Sequence, residues 1–388
     1  MTSAPRIEGE AATVPTVDVA TLLATPEATI VDLRSPAEFA EDHVPGAVSV
    51  PLFDDLQRAV VGWLYRRASP ERAYREGLGL VRAKIEGLVA EVAAAAGRAV
   101  SAARLGEHFE SLSRGGIEAM DERLRARPAG VPPPHPIVLC CWRGGLRSRS
   151  VVALLRALGF DDALALEGGT KAYRRHVRAT LEEWEAPPAF VLRGLTGVGK
   201  TLVLRELERL RPGWTIDLEA AAGHRSSLLG AVGLEPATQK TFESRLAARL
   251  RAGFPGGCVV FEGESRKVGD AVVPHAVWAA LQGGTNVELV APPERRVDVL
   301  VADYLARPSD RGALRERLAA VEERTRPRQA LVELFDAGED RRVAELLLDG
   351  YYDPLYRHSE RGKRYATTID ATDPRAAAEE VAAWIGAR

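Results

Sequence analysis

Cysteine and long apolar runs are scarce in this sequence. Only three of its 388 residues are cysteine, and two of these, Cys140 and Cys141, are neighbours. So few cysteines exclude a disulfide framework, and their spacing lacks the paired cysteines of a zinc site. We therefore expect at least one of the thiols to be chemically reactive.

No segment approaches the roughly 18–20 consecutive apolar residues that a membrane helix needs. The opening stretch MTSAPRIEGEAATVPT has neither the basic start nor the apolar core of an export signal. We therefore expect a cytoplasmic protein. The formal net charge of −2 argues against a uniformly basic surface, although it leaves room for a local basic face that binds nucleic acid.

Lysine is also rare, since only six of the 52 basic residues are lysine and the rest are arginine. Four of the six, Lys171, Lys200, Lys240 and Lys267, lie inside the motif-like segments described below. The length predicts two or three domains of ordinary size. The hydrophobic fraction of 46% is typical of a globular protein with real cores.

The N-terminal half has the pattern of a parallel α/β domain. A β-branched run at Thr29–Val31, a helix start at Ser35-Pro36 and a second short run at 48–50 predict a βαβ unit. Further strands and helices are expected between 137 and 184, before the linker EAPPA at 185–189. We predict a flexible N-terminus at 1–14 and a first domain at 15–185.

A helical insertion of two to four helices is predicted at about 55–127, because this segment is rich in Ala, Arg, Glu and Leu at helical spacing. It carries a basic cluster. Any single arginine is most simply explained as part of a helical face exposed to solvent. The cluster as a whole supports the more specific hypothesis of a contact with RNA phosphates. The cluster consists of Arg66, Arg67, Arg72, Arg75, Arg82 and Lys84.

The second domain, at 190–388, opens with a strand and a glycine-rich loop. Residues 194–201 fit the pattern G-x-x-x-x-G-K-[ST] after a strand and before a helix, which predicts a P-loop that cradles phosphate. Four further strands with helices between them, and a mostly helical segment at about 294–350, predict a doubly wound α/β fold. The predicted phosphate-binding residues are Gly194, Thr196, Gly197, Val198, Gly199, Lys200 and Thr201.

A Mg²⁺ ion is expected beside the P-loop, held by Thr201 and by a carboxylate at the end of a neighbouring strand. Asp217 is the predicted partner, and Glu262 and Glu264 are further candidates because they follow the next buried strand. A strand that ends in Glu262 departs from the Asp of the commonest NTPases. This departure argues against ATP hydrolysis.

The loop CCWRGGLRSRS, at 140–150, predicts an anion site built around a thiol. The spacing from Cys141 to Arg147 is C-x5-R, and a loop of this size between a strand and a helix favours a thiolate. Such a site suits transfer of sulfur, selenium or phosphate. Arg143, Gly144 and Gly145 complete the loop. We expect Cys140 to be a buried structural thiol and Cys258 to pack in the core.

The motifs together resemble a known family. The segment DLRSPAEFAEDHVPGAVSVP, the loop CWRGGLRS and the turn LEGGTKAYR resemble rhodanese domains. A rhodanese domain joined to a P-loop domain resembles the tRNA 2-selenouridine synthase family, and the resemblance spans nearly the whole chain. It departs from the family at Ser226-Ser227 and at Thr170. It also includes GHRSSLLG at 223–230, TQKTFESRL at 238–246, FEGESRKVG at 261–269 and YYDPLY at 351–356.

The resemblance implies the fold class: α/β, with a rhodanese-like parallel-sheet domain that carries the helical insertion, followed by a P-loop doubly wound α/β domain. It also implies an enzyme that converts 2-thiouridine at wobble position 34, in the anticodon arm of tRNA, to 2-selenouridine through an S-geranyl intermediate. Geranyl diphosphate and selenophosphate are the implied co-substrates.

From the chemistry of the two loops we expect geranyl diphosphate to bind at the P-loop and selenophosphate to bind at Cys141 and Arg147. Four further basic residues are suited to contact diphosphate or tRNA phosphate, although surface ion pairs explain them equally well. They are His224, Arg225, Arg266 and Lys267, and Glu262 joins the predicted phosphate site as a candidate magnesium ligand.

Three alternatives stay open at this point. One is a P-loop kinase or NTPase with a regulatory rhodanese-like domain, which would hydrolyse ATP rapidly without tRNA. Another is a cysteine-dependent phosphatase, because C-x5-R is also the phosphatase spacing; this leaves the P-loop unexplained. The third is a tRNA-binding scaffold without activity, which leaves both anion-binding loops unexplained.

Overall fold

A computed structural model describes residues 13–101, 103–227, 229–305, 310–355 and 362–388. The chain divides into two compact units, Met1–Arg178 and Ala179–Arg388. Most of the predicted flexible N-terminus, 1–12, lies outside the described residues, and the first strand begins at Val14. The predicted domain limits, 15–185 and 190–388, stay predictions.

The first unit contains a six-stranded sheet in which every pair is parallel, as the βαβ pattern predicts. The spatial order is β3-β2-β5-β6-β1-β4. β5 and β6 are buried along their whole length, because helices cover both faces of a parallel sheet. The strands are β1 Val14–Val17, β2 Thr29–Asp32, β3 Val48–Ser49, β4 Ala126–Pro128, β5 Ile137–Cys140 and β6 Ala163–Leu166.

The insertion differs in two respects from the prediction. Its described residues form five helices, α3 to α7 in the order given below, so the expected two to four is wrong. The extra breaks occur at Arg104 and Gly115, whose φ angles of 67° and 89° interrupt the helical path. The segment also ends in β4, which pairs with β1 from Val14 to Thr16 and extends the sheet. Gly115 follows the C-cap of α6 in the left-handed conformation that commonly ends a helix, whereas the break at Arg104 has no such signal.

The helices of the first unit enclose one hydrophobic core with the sheet. Val31 and Leu139 of the sheet, Val92 and Leu105 of the insertion and Val152 behind the cysteine loop are all less than 2% exposed in this core. The insertion is therefore an integral part of the unit. The helices are α1 Val19–Leu23, α2 Pro36–Glu41, α3 Asp55–Arg67, α4 Pro70–Arg82, α5 Ile85–Ala95, α6 Leu105–Ser113, α7 Gly116–Arg123, α8 Leu146–Ala157 and α9 Gly169–Glu182.

The second unit contains a five-stranded parallel sheet in the order β13-β12-β7-β9-β8. After β7 the chain forms β8 and β9 on one side of that strand, and it then forms β12 and β13 on the other side. The crevice at the carboxyl end of β7 is therefore the switch point where such sheets bind ligands. A two-stranded hairpin, β10-β11, lies outside this sheet and was not predicted. The strands are β7 Ala189–Arg193, β8 Thr215–Ile216, β9 Val259–Glu262, β10 Lys267–Val268, β11 Ala271–Val272, β12 Thr285–Val290 and β13 Tyr365–Asp370.

The predicted helical segment at about 294–350 is confirmed and has a core of its own, which contains Leu318 and Phe335. None of the described helices is long and apolar enough to cross a membrane. The helices are α10 Lys200–Leu210, α11 Leu218–Ala222, α12 Gln239–Arg251, α13 His275–Gly283, α14 Pro293–Leu300, α15 Arg311–Thr325, α16 Leu331–Asp336, α17 Asp340–Leu347 and α18 Pro374–Gly386, with π-helical turns at Val301–Leu305 and Leu348–Tyr352.

Candidate active site

Cys141 follows β5 directly, and its loop ends where α8 begins. The residue is only 2% exposed, yet it lines a cavity of about 1380 Å³ together with Trp142, Arg143 and Arg147. Its Sγ atom lies 3.3 Å from the hydroxyl oxygen of Ser148 in the first turn of α8. The sulfur therefore lies beside a helix N-terminus, where backbone N–H groups favour an anion.

A second loop, between β6 and α9, supports the cysteine loop from behind. The N–H of Thr170 donates to the carbonyl oxygen of Cys141 at 2.9 Å, and the N–H of Lys171 donates to that of Trp142 at 3.0 Å. Gly169 is required at this contact, because a Cβ atom there would lie 2.1 Å from the carbonyl oxygen of Cys141. The turn GGT thus fixes the backbone of the reactive loop, and Thr170 serves this role without an aromatic ring.

Cys140 has the buried structural role that the sequence predicts. It is fully buried, and burial raises the pKa of its thiol well above the ordinary value, with the charge of Asp32 acting in the same direction. Asp32 belongs to a buried ion-pair network, in which it accepts from Arg34 at 2.6 Å. Arg174 of α9 donates to Asp42 at 3.0 Å in the same part of the unit. Cys258 is also buried.

The remaining residues of the cysteine loop occupy the same side of the unit. Gly145 and Arg147 line the cavity and are half-buried, whereas Arg143 is exposed. Gly144 packs against the second loop, since a Cβ atom there would lie 2.6 Å from the carbonyl oxygen of Leu166. The predicted set is thus brought together around one opening.

The P-loop of the second unit connects β7 to α10. Its residues Thr196, Gly197, Gly199, Lys200 and Thr201 line a separate cavity of about 470 Å³. Among the other predicted residues, Val198 is buried in the core, and Gly194 accepts a hydrogen bond from Lys200 Nζ through its carbonyl oxygen at 3.0 Å. The loop amides and Lys200 together form a cradle for phosphate.

Three glutamates face this cradle: Glu262 and Glu264, which the sequence indicates as candidates, and Glu219, which it does not. Burial, followed by the charge of Glu264, raises the pKa of Glu219 to about 8. Burial also raises the pKa of Glu262 well above its ordinary value, and that of Glu264. Three buried carboxyl groups cannot all ionise together unless a cation compensates them. The cavity therefore favours a positively charged partner.

The donor set fits Mg²⁺ bound with phosphate. The Thr201 hydroxyl donates to Glu262 Oε2 at 2.7 Å and contacts Glu219 at 3.4 Å. Within the described chain, Glu262 Oε1 is buried and has no hydrogen-bond partner. No three His, Cys, Asp or Glu side chains of the described residues could hold a metal by themselves. Mg²⁺ commonly takes one or two carboxylates and completes its shell with water and substrate phosphates.

Asp217, the predicted magnesium ligand, has contacts of its own. Its Oδ1 atom accepts the N–H of Ala220 at 2.7 Å and so caps α11, and its Oδ2 atom lies 3.5 Å from Arg205. Glu262 is the carboxylate that contacts Thr201. The assignment of Asp217 to the metal stays a prediction.

The four further basic residues fall into two groups. Arg225 lines the cavity and its guanidinium lies 4.9 Å from the ring centre of Tyr304. His224 packs between Gly230 and Gly269, accepts the N–H of Ser226 at 3.0 Å, and has a pKa lowered by burial. Both remaining residues, Arg266 and Lys267, are exposed at the β10-β11 hairpin, and neither is among the described residues that line the cavity.

A buried ion pair that the motif does not reveal braces the P-loop. Arg296 of α14 donates to the carbonyl oxygen of Thr196 at 2.8 Å and to both carboxylate oxygens of Asp353, at 2.5 and 3.1 Å. Gly197 packs on the same helix, because a Cβ atom there would lie 2.6 Å from the carbonyl oxygen of Arg296. The only sequence signal for this pair is the YYDPLY segment, which contains Asp353.

The fold and the sites define an α/β protein with a rhodanese-type cysteine loop in one unit and a P-loop in the other. The family model "tRNA 2-selenouridine synthase AAA domain" matches residues 187–331, and the rhodanese-like domain model matches 16–74. The chain belongs to the tRNA 2-selenouridine synthase family, because a curated member from Cupriavidus pinatubonensis is 31% identical over 373 residues, which cover 88% of this chain and 90% of that protein.

Two other relatives match over a shorter range. The tRNA 2-selenouridine synthases of Photobacterium profundum and Chromohalobacter salexigens are 34% and 33% identical over 281 and 280 residues. These matches cover 72% of this chain and 66% of each relative, so the chain spans slightly less than two thirds of their length.

Proposed function

We propose that this chain is a tRNA-modifying transferase that converts wobble 2-thiouridine to 2-selenouridine through an S-geranyl intermediate. Support comes from membership of the family, whose curated relatives are named for 2-selenouridine synthesis. It comes also from two separate anion-binding loops, since the two steps use two different phosphorylated donors. The expected location is the cytoplasm, where the tRNA substrate is found.

The first step transfers geranyl from geranyl diphosphate to the sulfur of the base. The sulfur forms a bond to the geranyl carbon as the carbon–oxygen bond breaks, and diphosphate leaves with the electron pair. Lys200, Thr201 and the amides of residues 197–201 bind the diphosphate, and Mg²⁺ would add charge stabilisation at the leaving group. The same cavity has apolar side chains for a hydrocarbon chain, including Leu202, Leu234, Val299 and Leu355.

The second step replaces the geranylated sulfur with selenium. A thiocarbonyl sulfur leaves poorly, whereas the thioether departs as a thiol. Selenium forms a bond to C2 of the base, the C2–S bond breaks, and the sulfur leaves with the electron pair and takes up a proton. Water then cleaves the selenium–phosphorus bond and releases phosphate. Arg147 and the loop amides hold the phosphate of the donor, and Cys141 lies where the selenium is delivered.

Exposed arginines of the insertion are suited to hold the tRNA backbone. Arg66, Arg67, Arg72 and Arg75 are all exposed, and α3 also presents Trp63 at 57% exposure. Arginine neutralises phosphate and an exposed ring stacks on an unpaired base. Arg82 contributes less, because it is paired with Glu110 at 2.7 Å.

The observation that carries the proposal is that a cysteine loop and a P-loop each line a cavity of their own. The decisive experiment incubates the protein with thiolated tRNA, geranyl diphosphate and selenophosphate, and omits each reagent in turn. Mass analysis of the wobble nucleoside should show 2-selenouridine only in the complete mixture and the S-geranyl nucleoside when selenophosphate is omitted. Rapid ATP hydrolysis without tRNA, with no modified nucleoside, would instead identify a P-loop NTPase.

A further inference from the structure

The cavity beside Cys141 is much larger than a phosphate-sized donor needs. Its volume is about 1380 Å³, whereas pockets for drug-sized ligands measure roughly 300–1,000 Å³. Most of the residues that line it belong to the helical insertion, in α3, α4, α5, α6 and α7, and α8 supplies several others. The insertion therefore builds a chamber that the cysteine loop alone does not explain.

The chamber is lined by buried apolar side chains and by exposed charged side chains of both signs, since Glu118, Asp121 and Glu122 line it as well as arginines. Phe53, Phe109 and Met120 are 6%, 6% and 7% exposed and line it with Leu78 and Tyr74. Arg66 and Arg143 are exposed, and Arg147 is half-buried beside Cys141. Buried apolar side chains beside exposed arginines fit a molecule that carries a hydrocarbon tail on a phosphorylated body.

We infer that this chamber holds the isoprenoid chain of an S-alkylated nucleoside while the base reacts at the Cys141 loop. The inference rests on the proposed function and adds a second hydrocarbon site to it, apart from the P-loop cavity that takes the donor. Burial of the chain is favourable because apolar surface leaves water. The exposed arginines of the lining meet the phosphates on either side of the modified nucleotide.

The chamber also has a consequence for the leaving group. When selenium bonds to C2 and the C2–S bond breaks, the departing thiol carries the whole hydrocarbon chain. A chain already lodged among Phe53, Phe109 and Leu78 leaves the reacting carbon along a defined path. The chamber thus selects long S-alkyl groups over short ones.

Equilibrium dialysis of the full chain against two nucleosides tests the inference directly. S-geranyl-2-thiouridine is expected to bind at least about tenfold more tightly than S-methyl-2-thiouridine, because the longer chain buries many more methylene groups. Equal affinity for the two nucleosides would overturn the inference.

Two neighbouring residues of α3 provide a matched pair of variants. Val61 lines the chamber, whereas Val60 is 49% exposed and is not among the described lining residues. Val61→Trp should lower the affinity for the S-geranyl nucleoside at least about fivefold and leave that for the S-methyl nucleoside unchanged, because the added ring occupies the recess. Val60→Trp should change neither affinity. Identical binding by both variants would overturn the inference.

Ile117→Trp, on α7, provides a second filling variant if Val61→Trp does not fold. It should reproduce the selective loss of S-geranyl binding, and unaltered binding by the folded variant would also overturn the inference. The outcome differs from failure of the proposed function. If the protein binds the S-geranyl nucleoside more tightly than the S-methyl nucleoside but forms no 2-selenouridine, the chamber is supported and the proposed reaction is contradicted. If it selenates tRNA but binds the two nucleosides equally, the proposed reaction is supported and the chamber is contradicted.

Discussion

At the scale of single residues, two adjacent cysteines have opposite environments. Cys140 is the last residue of β5, and it is sealed in the core beside Asp32 with a raised pKa. Cys141 is the first residue of the loop and lines the cavity. Successive side chains of a strand point to opposite sides, so a thiol sealed in the core is followed directly by one that lines the cavity.

Cys141→Ser should abolish selenation and leave geranylation largely intact, because the proposed function assigns only the second step to the cysteine loop. We expect 2-selenouridine formation to fall by at least about 100-fold, as is common when a reactive group is removed. Mass analysis of the wobble nucleoside would show the S-geranyl form accumulating. Cys140→Ser is the matched control and should retain both steps. Equal loss of both steps in a folded Cys141→Ser protein would contradict the assignment.

Glu219 should make stability fall as the pH rises. Its pKa in the folded protein is about 8, above the ordinary value of 4.5, so the folded protein binds this proton more tightly than the unfolded chain. The contribution of the protonated form is complete below about 4.5 and is lost as pH rises toward about 8. Glu219→Gln should therefore raise the urea midpoint more at pH 8 than at pH 5. A midpoint difference that does not change with pH would contradict this.

At the scale of elements, the P-loop depends on a helix distant in sequence. Arg296 of α14 contacts the loop at Thr196 and is itself held by Asp353. Both side chains are about 10% exposed. The backbone that cradles phosphate is thus positioned by a buried ion pair as well as by its own glycines.

Asp353→Ala should cost about 3–5 kcal/mol of unfolding free energy, because it leaves the Arg296 cation buried without its partner. It should also weaken binding of inorganic diphosphate, since Arg296 no longer holds the loop at Thr196. Chemical denaturation and diphosphate titration measure the two effects. The exposed pair Arg375–Glu379 provides the control, because Glu379→Ala should cost only about 0–1 kcal/mol. A similar cost for both variants would show that Arg296 is not braced in this way.

At the scale of the whole molecule, the chain carries two units with separate cores. Each unit contains its own cavity, lined by the cysteine loop in the first unit and by the P-loop in the second. If the two reactions occur at these two loops in sequence, the intermediate between them is an S-alkylated tRNA. A protein molecule with an active P-loop can then form this tRNA and release it, and the cysteine loop of another molecule can use it.

Mixing two inactive variants should therefore restore the complete reaction. Lys200→Ala should lose geranylation, because the diphosphate loses its lysine contact, while Cys141→Ser should lose selenation. Together they should form 2-selenouridine after a lag that shortens as the concentration of protein rises. Time courses of the wobble nucleoside measure this. If S-geranyl tRNA added from outside is selenated by Lys200→Ala but the mixture gives no product, the intermediate does not pass between molecules.

The local chemistry of the chain was readable from the sequence. The P-loop, the cysteine loop and the strands on either side of them depend on contiguous residues, such as Gly197-Val-Gly-Lys200 and the run Ile137–Cys140. Gly197 and Gly199 supply the positive φ angles that the P-loop requires, and β-branched residues favour strands. The parallel α/β class followed from strands that alternate with helices.

Long-range contacts decided the rest. The Arg296–Asp353 brace joins residues 57 positions apart, and the support of Cys141 by Thr170 spans 29 positions. The chamber beside Cys141 arises from helices whose apolar faces look like ordinary core faces in the sequence. A sequence pattern shows that a side chain is apolar, but only the packing of several elements determines whether it fills a core or lines a space.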